Sequence, residues 1–199
     1  MTKWNSVSGP TEIYISVDVE ADGPVPGLNS MLSIGAVALH PETLEEDSSF
    51  YKRLDLLPYA TQHPDTMEWW SGRMHLYEET RRETVSPKAA MTAFERWVAE
   101  LATKYSAVPV FVAYPITFDF AYYAYYAHRF VGNPVMRFSG IDLASMAMGM
   151  VGGQYDTNVR RNWPMRWTLG ADGEADHIAI EDARKQATIF ARMLRELRQ

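Results

Sequence analysis

Glu12-Ile-Tyr-Ile-Ser-Val-Asp-Val-Glu20 has the pattern of a β-strand: Ile13, Ile15, Val17 and Val19 alternate with the other residues at a period of two. That spacing places Asp18 and Glu20 on one face while the apolar residues point into a core. Two carboxylates side by side on a rigid strand repel each other unless a cation bridges them, so a metal site is the first expectation. Far downstream, Thr117-Phe118-Asp119-Phe120 offers Asp119 just beyond a second apolar strand, and His177 and Asp182 stand five residues apart at the start of a helix. Asp18, Glu20, Asp119, Asp182 and His177 are therefore available to one site.

Outward from this strand, residues 21–30 (ADGPVPGLNS) form a turn, residues 31–40 read as a buried strand, and residues 48–56 as a third, more exposed one. Residues 65–82 lose the alternation and suit one or two short helices, with Asp65 available as a cap. A longer helix over 87–105 opens on Pro87 and lines Met91, Phe94, Trp97, Val98 and Leu101 along one stripe. Residues 108–115 (VPVFVAYP) suit a strand covered on both faces; a helix over 120–132 ends at Gly132. A short strand near 138–143, a helix over 144–152, a lid-like loop over 152–176 and a last helix from about Ile180 to Leu197 complete the order. The pattern describes an α/β protein, a mixed sheet flanked by helices, with a tail at 1–10 and a single domain over 11–199.

Composition narrows the chemistry. With no cysteine, a metal must be held by oxygen or imidazole. With 19 basic and 25 acidic residues, a net charge of −6, the chain is not built to coat long nucleic acid by charge alone. An enzyme gripping a few nucleotides through bound cations needs no basic stripe. The pairs Arg81–Arg82 and Arg160–Arg161 read as solvated surface. No apolar run approaches the roughly 20 residues that span a bilayer, and the N-terminus has no signal-peptide pattern, so a cytoplasmic protein without membrane contact is expected.

Taken in order, SVDVEADG (16–23) followed by SIGAVAL (33–39), TFDF (117–120) and HIAIED (177–182) resembles the motifs of the DEDD exonuclease superfamily, histidine-bearing (DEDDh) subclass. The resemblance implies a ribonuclease H-like fold and removal of nucleotides from 3′ ends of DNA or RNA with two divalent ions. It makes Asp18, Glu20, Asp119 and Asp182 the metal ligands, with Asp18 bridging the ions, and His177 the general base. Mg²⁺ or Mn²⁺ suits such oxygen donors. Thr66-Met67-Glu68-Trp69-Trp70 further resembles a bacterial and phage branch associated with exoribonuclease activity, which favours RNA over DNA. Many relatives carry an asparagine shortly before the second-motif aspartate, where this chain has Ala113-Tyr114-Pro115-Ile116-Thr117.

Met31, Leu32, Trp69 and Trp70 are candidate substrate contacts, the tryptophans because adjacent helical positions differ by about 100° and one indole can be left free to stack. Tyr122 and Tyr126 have the spacing of packing residues, while Asp22 and Asp142 suit a turn and a helix cap. The expected activity is a 3′→5′ exonuclease on single-stranded or short nucleic acid, releasing nucleoside 5′-monophosphates. A catalytically silent nucleic-acid-binding module and an endonuclease of the same fold are the competing readings. A homodimer is a further expectation from the resemblance.

Overall fold

The computed structural model describes residue 9 and residues 11–171 and 177–199; the expected tail at 1–10, Gly9 apart, lies outside them. Five strands form one mixed sheet: β1 (Glu12–Ala21), β2 (Met31–Leu39), β3 (Glu46–Arg53), β4 (Val108–Ala113) and β5 (Gly140–Asp142). Their order is β3-β2-β1-β4-β5, with β1 antiparallel to β2 and parallel to β4. The acid-bearing strand is thus the central one, and its alternation is as expected from the sequence. Ile13, Ile15, Val17 and Val19 are buried on one face, against α3 (Pro87–Tyr105) and α4 (Ile116–Phe130).

The opposite face packs Tyr14, Val37 and Val112 beneath α5 (Leu143–Val151), α6 (Met165–Thr168) and α7 (Ala179–Leu197). Three layers result, the ribonuclease H-like arrangement expected of the chain. The short helices α1 (Pro64–Ser71) and α2 (Met74–Thr80) lie between β3 and α3 in sequence. No described helix is long and apolar enough to cross a membrane.

Several local expectations change. His63, not Asp65, is the N-cap of α1, because Pro64 takes the first helical position and puts Asp65 in the first turn. β4 is covered on both faces only at Phe111–Ala113, the segment that pairs with β5; Val108–Val110 run beyond it and are half exposed. The lid-like stretch is, up to Ala171, a built layer: it forms 3₁₀ turns at Tyr155–Thr157 and Arg160–Asn162, then α6, and buries Trp163 and Trp167 in the α7-side core. The remainder of that expected lid, residues 172–176, lies outside the described residues. Arg81 and Arg160 turn inward to donate to the carbonyls of Leu54 and Ala171, whereas Arg82 and Arg161 are exposed.

Candidate active site

Asp18 and Glu20 leave β1 on the face covered by the N-terminal end of α7. Directly across from Asp18 in the sheet register stands Gly35. A Cβ there would lie 2.3 Å from the carbonyl carbon of Ala179 and 2.3 Å from the nitrogen of Ile180, so only glycine lets the helix backbone settle against β2 at this point. That close approach brings Asp182, on the first turns of α7, over the two strand acids. Ser16 secures the same contact by donating from Oγ to the Ala183 carbonyl at 2.9 Å.

His177 sits just before the helix with φ +53°, a left-handed conformation uncommon for a residue with a side chain. Its backbone N–H donates to Asp182 Oδ2 at 2.8 Å, which ties the turn to the helix. One ligand atom from each of Glu20, His177 and Asp182 lies within 4.8 Å of the others. Asp119 arrives from the other side of β1. The β1–β4 pairing ends at Ser16–Val112, so the Val19 N–H has no partner on β4 and instead donates to Asp119 Oδ1 at 3.0 Å. Asp119 was expected just ahead of a helix starting near residue 120; α4 begins at Ile116 and carries Asp119 in its first turn.

Electrostatics draws the four acids into one unit. Burial, and then the nearby charges of Asp119, Glu20 and Asp182, push Asp18 well above the ordinary carboxylate range. Burial followed by Asp182 and Asp119 raises Glu20 to about 8. Asp119 is raised by burial to about 8 against the opposing effect of its backbone hydrogen bonds. A buried group of carboxylates that resists ionisation is matched by divalent cations, whose charge offsets the repulsion and whose preferred donors are oxygens.

Two polar atoms at the site support that fit. Gln186, one turn beyond Asp182 on α7, donates from Nε2 to Asp18 Oδ1 at 2.7 Å, while among the described residues its buried Oε1 has no hydrogen-bond partner. Ser33, opposite Glu20 in the register, likewise has a buried Oγ without a hydrogen-bond partner among the described residues. The role of Gln186 was not read from the sequence, although the four-residue step from Asp182 to Gln186 places both on one helical face.

The expected substrate contacts separate. Trp70 is 1% exposed, with Nε1 donating to the Ala21 carbonyl, and Met31 and Leu32 are fully buried; these side chains are enclosed by protein. Trp69 is 37% exposed, and its ring centroid lies 4.5 Å from that of His177 at an interplanar angle of 84°. Tyr122 and Tyr126 are buried, and they donate to the Gly23 carbonyl and accept from the Met31 N–H, respectively. Asp22 accepts from the Ser30 N–H in the turn, and Asp142 caps α5 through the Ser145 N–H, as anticipated.

Residues 14–194 match the model of the family described as the 3′-5′ exoribonuclease Rv2179c-like domain. The chain belongs to the Rv2179c-like family. Among curated proteins it is similar to the 3′-5′ DNA exonuclease Cap18 of Escherichia coli, with 31% identity over 182 residues and 90% of each chain covered. The family description and this relative agree on a 3′–5′ exonuclease and differ over the sugar. The fold of this Rv2179c-like protein is similar to the nuclease domain of 3′hExo, a DEDDh family member solved bound to rAMP, with TM-score 0.70, 13% identity, and 95% and 94% of the two chains covered. It is also similar to E. coli exonuclease I in a single-stranded DNA complex, with TM-score 0.63, 16% identity, and 95% of this chain and 41% of that one covered. The Rv2179c-like chain is therefore a 3′–5′ exonuclease.

The raised acids carry a stability signature. In the folded metal-free protein Glu20 and Asp119 retain protons to about pH 8, whereas in the unfolded chain they ionise near pH 4. The native state binds more protons than the unfolded state across that window, so the site's contribution to stability is present below about pH 4 and is lost as pH rises toward 8. Unfolding temperatures in EDTA are expected to fall between pH 5 and pH 8, and added Mn²⁺ should reduce or reverse the slope because cation binding favours the ionised acids. A metal-free stability that rises with pH through this range would contradict the electrostatic account.

Proposed function

We propose that this chain removes nucleotides from the 3′ ends of single-stranded or short nucleic acid by a two-metal mechanism, with His177 as general base. The carrying observation is the convergence of Glu20, His177 and Asp182 within 4.8 Å, on elements that also bring in Asp18 and Asp119. The expected single domain over 11–199 encloses the family match over 14–194. Asp18, Glu20, Asp119 and Asp182 would together hold the two ions. The donor set suits Mg²⁺ or Mn²⁺, which when bound supply charge neutralisation at the phosphate and acidification of the attacking water.

The protein's own groups do the remaining work. A neutral imidazole can accept a proton from water at the scissile phosphate. The left-handed turn and the Asp182 contact hold His177 beside the acids for that purpose. Gln186 orients the Asp18 carboxylate by engaging Oδ1.

His177→Ala is expected to lower kcat by roughly 10²–10⁴-fold while the Mn²⁺ concentration for half-maximal activity moves far less. Parallel kinetics and metal titration check this; a kcat within a few-fold of wild type would remove the base assignment. RNA is placed before DNA as substrate because the description of the family matched over residues 14–194 is of an exoribonuclease, although Cap18 is named for DNA. Matched RNA and DNA strands in one assay decide the order, and faster DNA shortening would reverse it.

A further inference from the structure

We propose that Arg73 is a ligand for a substrate phosphate and that Trp69 holds it beside the acids while positioning the ring of His177. The inference rests on the nuclease reading of the site. Arg73 Cζ lies 4.3 Å from the Trp69 ring centroid, and the same indole meets His177 at 4.5 Å and Trp70 at 4.8 Å. Trp70 is fixed in the core by its bond to the Ala21 carbonyl, one residue beyond Glu20, so the stack is anchored to the catalytic strand.

The chemistry of the guanidinium gives this arrangement its use. A guanidinium packed over an indole carries its N–H donors around its rim, and such donors are what recognise phosphate oxygens. Among the described residues Arg73 forms no ion pair. A chain with net charge −6 and four clustered acids repels a polyanion, so a cation held on the same indole as the imidazole provides a compensating attraction near the site. Trp69 has the Arg73 guanidinium over its ring and two further rings against it, which makes it a bracket for Arg73 and His177.

The test combines steady-state digestion of a 5′-labelled single strand with binding of the same strand capped by 3′ phosphorothioates, using wild type, Arg73→Gln, Arg73→Lys, Trp69→Phe and Trp69→Ala. Arg73→Gln should raise both KM and Kd roughly tenfold, leave kcat within about twofold, and reduce the slope of log affinity against log salt by about 0.7, one phosphate contact on a single strand. Arg73→Lys should retain the slope with only part of the affinity. Trp69→Ala should lower kcat as well as raise KM, with Trp69→Phe restoring most of both. Unchanged KM, Kd and salt slope in Arg73→Gln, with wild type shortening the strand normally, would overturn the proposal and leave the exonuclease reading intact. Arg73-dependent binding without shortening by wild type would do the reverse, and absence of both binding and shortening would remove both.

Discussion

Replacing Asp18 by asparagine is expected to lower exonuclease turnover by at least about 10³-fold and, in the same protein, to raise the unfolding temperature of the metal-free state. The two effects have one origin. Asp18 lies among Glu20, Asp119 and Asp182, whose charges add to burial in opposing its ionisation. An amide removes that cost, and its oxygen can still accept from Gln186 Nε2. For a chain of this size, each kcal/mol of relief corresponds to roughly 2–4 °C, so calorimetry in EDTA should detect the gain. In Mn²⁺ the order should invert, since wild type gains stability from an ion that the variant binds poorly. A metal-free Asp18→Asn protein less stable than wild type would show that the acids are compensated within the protein and do not await a cation.

Gly35→Ala is expected to cost both stability and catalysis although position 35 bears no functional group. The added Cβ would meet the backbone of Ala179 and Ile180 at 2.3 Å, and backbone cannot yield as a flexible side chain can. The start of α7 must move away from the sheet, taking with it Asp182 and, through the Asp182–His177 hydrogen bond, the imidazole. Overpacking of this kind typically costs about 1–3 kcal/mol, and a displacement near 1 Å at a reacting centre can cost about 10²-fold in rate. The expected signature is a folded protein with kcat reduced by roughly 10²-fold or more, a KM changed much less, and an unfolding temperature several degrees lower. Wild-type kcat in Gly35→Ala would contradict the role assigned to this close approach.

What the chain reveals before folding divides along the range of the interactions. The strand at 12–20 is legible because a period of two is local, and Asp18 and Glu20 inherit their shared face from it. The site residues converge from motifs whose order is legible by family resemblance, and the described geometry brings Glu20, His177 and Asp182 together. The start of α4 is harder to read: no Ser, Thr, Asp or Asn precedes Ile116, and its N–H is satisfied by Asp142, 26 residues later at the end of β5. Gly35 gains its meaning only from the register that puts it opposite Asp18 and beneath α7. The Trp69–Trp70 pair shows the same limit. Helical angles indicate that the two indoles face differently, but only packing reveals that Trp70 is buried and Trp69 stands between Arg73 and His177.

The most direct measurement is digestion of a 5′-labelled linear single strand and a circular strand of the same sequence by wild type and Asp18→Asn, each with Mn²⁺ and with EDTA. The expected result is a ladder that shortens one nucleotide at a time from the 3′ end, only for wild type and only with the ion, and an untouched circle. Cleavage of the circle, shortening in EDTA, or an undiminished ladder from Asp18→Asn would contradict it.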